Sequence, residues 1–180
     1  MKSLKSMNLA ISILTLNFLM FFDVNAHIMV AQRGTVNIVD ESAYVVLSLP
    51  IAAFEGIDSN EDGQISMIEF NVNRKLVTQA IEQKINLRGN NESSKLMDVL
   101  LSPVQNHHST SDYFTQLTVM GKFDLKNFSD SITLIVNVFG KSEKEKSLEV
   151  TTIQGKDKLR KKYLLTSESP SVELLLIPKK

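Results

Sequence analysis

Residues 58–69 read Asp58-Ser59-Asn60-Glu61-Asp62-Gly63-Gln64-Ile65-Ser66-Met67-Ile68-Glu69. Asp58, Asn60 and Asp62 alternate, so a tightly wound loop aims three side-chain oxygens at one centre. Gly63 lacks a Cβ and permits the backbone reversal such a loop needs. Gln64 has only to offer its carbonyl oxygen, and Ser66 contributes through a water. Glu69, in the first turn of a following helix, closes the site with two oxygens. An all-oxygen set suits Ca²⁺, a hard cation that takes about 6–8 oxygens. Ile65 is apolar and anchors the loop against a core. The segment carries Asp58, Glu61, Asp62 and Glu69 but no Lys or Arg, so it repels itself without a cation.

These residues satisfy every position of the D-x-[DN]-x-[DN]-G-x5-E pattern, and the segment resembles the EF-hand family. The resemblance implies a helix–loop–helix calcium site with Asp58, Asn60, Asp62, Gln64, Ser66 and Glu69 as ligands. Phe54 and Ile57 would stand on the entering helix and Phe70 on the exiting one. EF-hands usually occur in pairs that bond through their position-eight residues. No second loop is found, since Asp124–Asp130 lacks the Gly and the final Glu. Ile65 therefore needs another partner, or the protein dimerises through this hand. A lone hand implies a structural or affinity-buffering role, at about 10⁻⁴–10⁻³ M calcium, rather than a sensor. More widely, AH…GTVNIVDESAYVVLSLPIAAFEGID followed by this loop is similar to secreted bacterial proteins of unknown function. It also resembles the soluble N-terminal region of the hydrogenase/urease-accessory type of membrane protein. That likeness implies a periplasmic β-sandwich interrupted by the EF-hand, and names no substrate.

The elements that must position the loop are mostly strands. Thr35–Val39 and Ala43–Leu49 flank Asp40-Glu41-Ser42 and predict a hairpin closed by Pro50. Ile51–Ile57 is compatible with two helical turns. Phe70, Val72, Leu76, Val77, Ala80 and Ile81 approximate a 3.6-residue period and predict a helix from Met67 to Gln83. Ile85–Leu87 and Leu96–Leu101 are strand candidates, the second ended by Ser102-Pro103, with a polar loop over 102–112. Phe114–Leu125, Ile132–Phe139, Leu148–Ile153, Tyr163–Thr166 and Val172–Leu176 follow at short, regular spacing, as in an antiparallel sandwich. The Ile132–Phe139 strand reads as buried on both faces, and Lys141–Lys146 as a solvated hairpin tip. The expected fold class is α+β: an antiparallel β-sandwich-like domain with an inserted EF-hand helix-loop-helix at about residues 51–83.

Residues 1–26 have a positive start at Lys2 and Lys5, an apolar run from Leu9 to Phe22 and a small-x-small Val24-Asn25-Ala26. That is the pattern of a secretory signal peptide, which leaves a single secreted β-rich domain over 27–180. The expected location is periplasmic or secreted, with no membrane span in the mature chain. Cleavage after Ala26 would make His27 the N-terminus, whose amine and imidazole suit Cu²⁺ or Ni²⁺; His107 and His108 would add nitrogens. This copper- or nickel-binding protein is the alternative to calcium.

Composition excludes other classes. The chain has 180 residues, with 20 basic and 20 acidic side chains, so no basic excess points to nucleic acid. Without Cys there is no disulfide, thiolate metal site or Cys nucleophile. No nucleophile elbow, HExxH or phosphate-cradling Gly loop appears, so an enzyme is not expected. The sequence thus predicts a non-catalytic calcium-binding protein, with a protein partner of unknown identity.

Overall fold

A computed structural model describes residues 30–89, 92–105, 113–128, 131–155 and 158–176. The predicted signal peptide, His27, His107 and His108 lie outside the described residues. The described strands form two sheets. The larger contains β1 (Arg33–Val39), β2 (Ser42–Pro50), β3 (Ile65–Ser66), β6 (Met97–Gln105), β7 (Tyr113–Asp124), β9 (Ser147–Gln154) and β10 (Leu159–Thr166). Its order is β10-β9-β1-β2-β7-β3, with β6 also on β7. The smaller holds β4 (Ile85–Arg88), β5 (Ser93–Lys95), β8 (Ser131–Val136) and β11 (Ser171–Leu175), in the order β11-β8-β4-β5.

Alternation builds the core. In β1, Val36 and Ile38 turn inward while Asn37 and Val39 stay exposed, as a period of two requires. Val45, Leu47 and Val119 of the larger sheet join Leu87, Leu134 and Val136 of the smaller in one buried cluster. The hairpin of β1 and β2 forms as its sequence predicts, turning at Asp40 with a φ of 52°, a conformation Asp tolerates better than most residues.

The fold-class expectation needs correction. The protein is mostly β, and although a sandwich is compatible with it, the EF-hand helix-loop-helix insertion is not supported. Among the described residues there is one α-helix, α1 (Met67–Lys84). The expected entering helix over Ile51–Ile57 is a 3-10 turn at Ile51–Ala53, after which Phe54 is already extended. Gly56 follows with a φ of 75°, which no right-handed helix accommodates. The stretch is too short to offset helix nucleation, and Phe54 and Ile57 bury themselves without helical backbone. Nor is the larger sheet wholly antiparallel, because β1 pairs with β9 in parallel.

Smaller differences have equally local causes. In α1, Phe70, Val77 and Ile81 are buried, but Val72 and Leu76 face solvent, so part of the predicted stripe points outward. Strand β6 runs through Pro103, which it tolerates as an edge strand. Ile135 of β8 is only half-buried, so that strand has one fully buried face. The charged run Lys141–Lys146 links β8 to β9 across the two sheets and is not a hairpin tip.

Candidate functional site

The segment of residues 51–64, which contains the loop, is held at both ends by one strand. Strand β2 lies along β7 until Pro50 meets Gln116. The chain leaves the sheet, makes the 3-10 turn and the loop, and returns as β3, where Ile65 meets Phe114 and Ser66 meets Tyr113. On the other side of β7 runs β6. Strand β3 therefore continues the line of β2. This answers where Ile65 finds its partner. The β-bridge a second hand would supply is supplied by Phe114 of the same chain, and Ile65 is buried there.

The helix that follows is fixed to the same strand. Phe70 is fully buried, and its ring stands edge-on to that of Phe114, centroids 6.4 Å apart. The Arg74 guanidinium lies 4.8 Å over the Phe70 ring. Asn73 Nδ2 donates to the carbonyls of Ile57 at 3.2 Å and Glu69 at 3.0 Å, tying the start of the loop to the first turns of α1. Neither Asn73 nor Phe114 was among the residues the sequence pattern singled out. Asn73 lies one turn beyond Glu69 on the half-buried side of the helix, a signal visible only once that side is known.

Inside the loop the predicted ligands fold onto their own backbone. The Gly63 N–H donates to Asp58 Oδ2 at 2.8 Å, and Gly63 takes a φ of 78°. The Asp62 N–H donates to Asn60 Oδ1 at 3.1 Å, and the Gln64 N–H to Asp62 Oδ1 at 2.8 Å. Asn60 Nδ2 donates to Asp62 Oδ2 at 3.0 Å. Glu69 is buried and closes a capping box. Its Oε2 accepts from the Ser66 N–H at 2.9 Å and the Ser66 hydroxyl at 2.8 Å, while its own N–H donates to Ser66 Oγ at 3.3 Å. Oε1 accepts from the Ser59 N–H at 2.9 Å. Hydrogen bonds from the Ser66 backbone and hydroxyl, opposed by desolvation and helped by the Ser59 and Asn60 backbones, hold this carboxyl below its ordinary pKa.

The arrangement joins Asp58, Asn60, Asp62, Gln64, Ser66 and Glu69 in one hydrogen-bonded loop without setting their carboxylates around one point. Among the described residues no three His, Asp or Glu side chains gather as a metal-holding group. Glu69 faces the loop backbone, and Gln64 and Asp62 are exposed. One atom of the loop stands apart. Asp58 Oδ1 is buried and has no hydrogen-bond partner, although Oδ2 of the same carboxylate is satisfied. A buried carboxylate oxygen without a donor is costly, and a hard cation would satisfy it. That orphaned oxygen and the all-oxygen donor set are what would suit a hard cation, although the carboxylates do not converge on one point.

Two surface hollows lie elsewhere. One, of about 600 Å³, is bordered by Asp40, Met97, Lys122 and Asp124; the other, of about 640 Å³, by Glu82, Asn86, Arg88 and Lys95. Both are open and lined mainly by charged and polar residues. No helix among the described residues is long and apolar enough to cross a membrane. No protein-family model matches the sequence, and no curated protein matches it either.

Proposed function

We propose that this chain is a non-catalytic calcium-binding protein, exported from the cytoplasm, in which the cation has a structural or interaction role. Asp58, Asn60 and Asp62 would provide side-chain oxygens, Gln64 its carbonyl, Ser66 a water-mediated contact and Glu69 the closing carboxylate. The observation that carries the reading is the orphaned Asp58 Oδ1, inside a loop whose glycine already holds the neighbouring oxygen. Glu69 must exchange its Ser59 contact for the ion, so the site completes itself on binding. That cost fits an affinity in the range of extracellular modules, about 10⁻⁴–10⁻³ M. Calcium then stabilises the fold by mass action, by roughly 2.7 kcal/mol at a hundredfold excess over the dissociation constant.

Isothermal calorimetry on the chelator-treated chain tests this, with Mg²⁺ and Cu²⁺ alongside. One calcium per chain is expected, lost in Asp58→Asn and in Glu69→Gln. The absence of both heat and thermal shift at millimolar calcium would remove the proposal and leave the loop as an Asx-rich turn.

A further inference from the structure

Strand β10, with the sequence LRKKYLLT, is the terminal strand of the larger sheet. It pairs with β9 on one side, and among the described residues no strand pairs with the other. Two sets of hydrogen bonds fix which residues face that open side. The Thr152 hydroxyl of β9 donates to the Lys161 carbonyl at 3.3 Å, so Lys161 turns its backbone to β9. At the strand end, the Ser167 N–H reaches the Lys146 carbonyl before β9, while the Thr166 N–H turns to Ser169. The alternation of an antiparallel ladder then directs the N–H and C=O of Arg160, Lys162 and Leu164 outward.

The same three side chains share one face of the sheet. Arg160 and Lys162 are exposed cations, and Leu164 is 67% exposed although its neighbour Leu165 is fully buried. The acid beside them is already divided. Glu149 Oε1 accepts from Arg33 at 3.1 Å and from Lys162 at 3.2 Å. On the other face, Lys161 lies 5.1 Å over the Tyr163 ring. Lysines on an edge ordinarily repel a further strand. Here they repel selectively. Antiparallel pairing of two copies centred on Lys161 or Lys162 sets cation against cation, which is unfavourable. An incoming strand with carboxylates meets the opposite situation.

We propose that the β10 edge accepts an extended acidic segment of another protein as an added strand. Its backbone would bond to Arg160, Lys162 and Leu164, its carboxylates would lie beside Arg160 and Lys162, and an apolar side chain would cover Leu164. The test is fluorescence anisotropy of the purified chain with a labelled peptide of about ten residues, alternating Glu and Val and ending in Leu. Saturable binding is expected, weakened roughly tenfold or more by R160E/K162E and by Leu164→Pro, and less by Leu164→Ala. The Leu164 N–H makes no ladder bond, so the proline should leave the fold intact. The same peptide N-methylated at alternate residues, titrated against the unaltered chain, tests the backbone bonds whatever the proline does; it should not bind. Three results would overturn the proposal: no binding of the parent peptide, equal binding of the N-methylated one, or capture of the chain by anionic vesicles with the peptide inert.

Discussion

Replacing Gly63 by Ala isolates one physical quantity in the loop. An added Cβ meets nothing within 4 Å, so no steric term enters. The whole cost is the backbone, which holds a φ of 78° at this position. A left-handed conformation costs an L-residue about 1–2 kcal/mol. Against this, Ala narrows the unfolded ensemble and returns about 0.4–1 kcal/mol. The expected net loss is therefore roughly 1 kcal/mol. In urea, with a slope of about 2 kcal/mol/M for a chain of this size, the midpoint should fall by about 0.5 M at unchanged slope. Gly63→Asn should fall less, because Asn visits this region more readily. Equilibrium unfolding of the three proteins in chelator, followed by circular dichroism, gives the comparison. An Ala midpoint equal to that of the parent would show that Gly63 is not held left-handed. A loss above about 3 kcal/mol would show that the space around it is not open. Either result refutes the loop geometry on which the proposed calcium site depends.

Other perturbations probe the surroundings. The low pKa of Glu69 stabilises the fold above its unfolded value near 4.5, and this contribution disappears as pH falls through the folded value. The stability gap between the parent and Glu69→Gln should therefore narrow steadily below about pH 4.5 in urea unfolding series; a constant gap would separate Glu69 from this titration. Phe70→Leu and Phe114→Leu, alone and together, should couple by about 0.5–1.5 kcal/mol in a double-mutant cycle, and additivity would mean the rings do not act as a pair. Gly121→Ala places a Cβ 2.9 Å from both the Met97 carbonyl oxygen and Leu96 Cγ, so thermal unfolding should show a loss of about 1–3 kcal/mol. An unchanged melting temperature there would mean that β6 yields freely to β7.

Much of this architecture is legible in the residues because local signals agree with the global result. The Val-, Ile- and Tyr-rich runs Thr35–Val39 and Ala43–Leu49 around a turn mark the first hairpin, and the 3.6-residue period marks α1. Apolar runs locate β7, β8 and β9 to within a few residues. What is not legible is decided by tertiary position. Ile51–Ile57 has a helix-compatible composition, yet the chain must leave β2 and return beside it, and Gly56 turns it left-handed instead. The parallel pairing of β1 with β9 leaves no mark in either strand alone. Val72 and Leu76 obey the helical period but stay exposed. In the loop, residue types indicate oxygen ligation; that Glu69 turns to Ser59 and Ser66 depends on backbone positions no spacing encodes.

The collinearity of β2 and β3 has an engineering consequence. Along β7, Gln116 belongs to Pro50 and Phe114 to Ile65, so residues 51–64 leave and rejoin the sheet across a gap one residue wide. The ends of residues 51–64 are thus brought together by the sheet, and the closure entropy of the loop is met before its interior is ordered. Doubling the length of a closed loop adds only about 0.6 kcal/mol. The exposed part of the segment, residues 58–64, should tolerate exchange, lengthening or a foreign loop, provided Ile51, Ala53, Phe54 and Ile57 keep their places in the core and Ile65 still reaches Phe114. The strand beneath would present the graft in the same orientation each time.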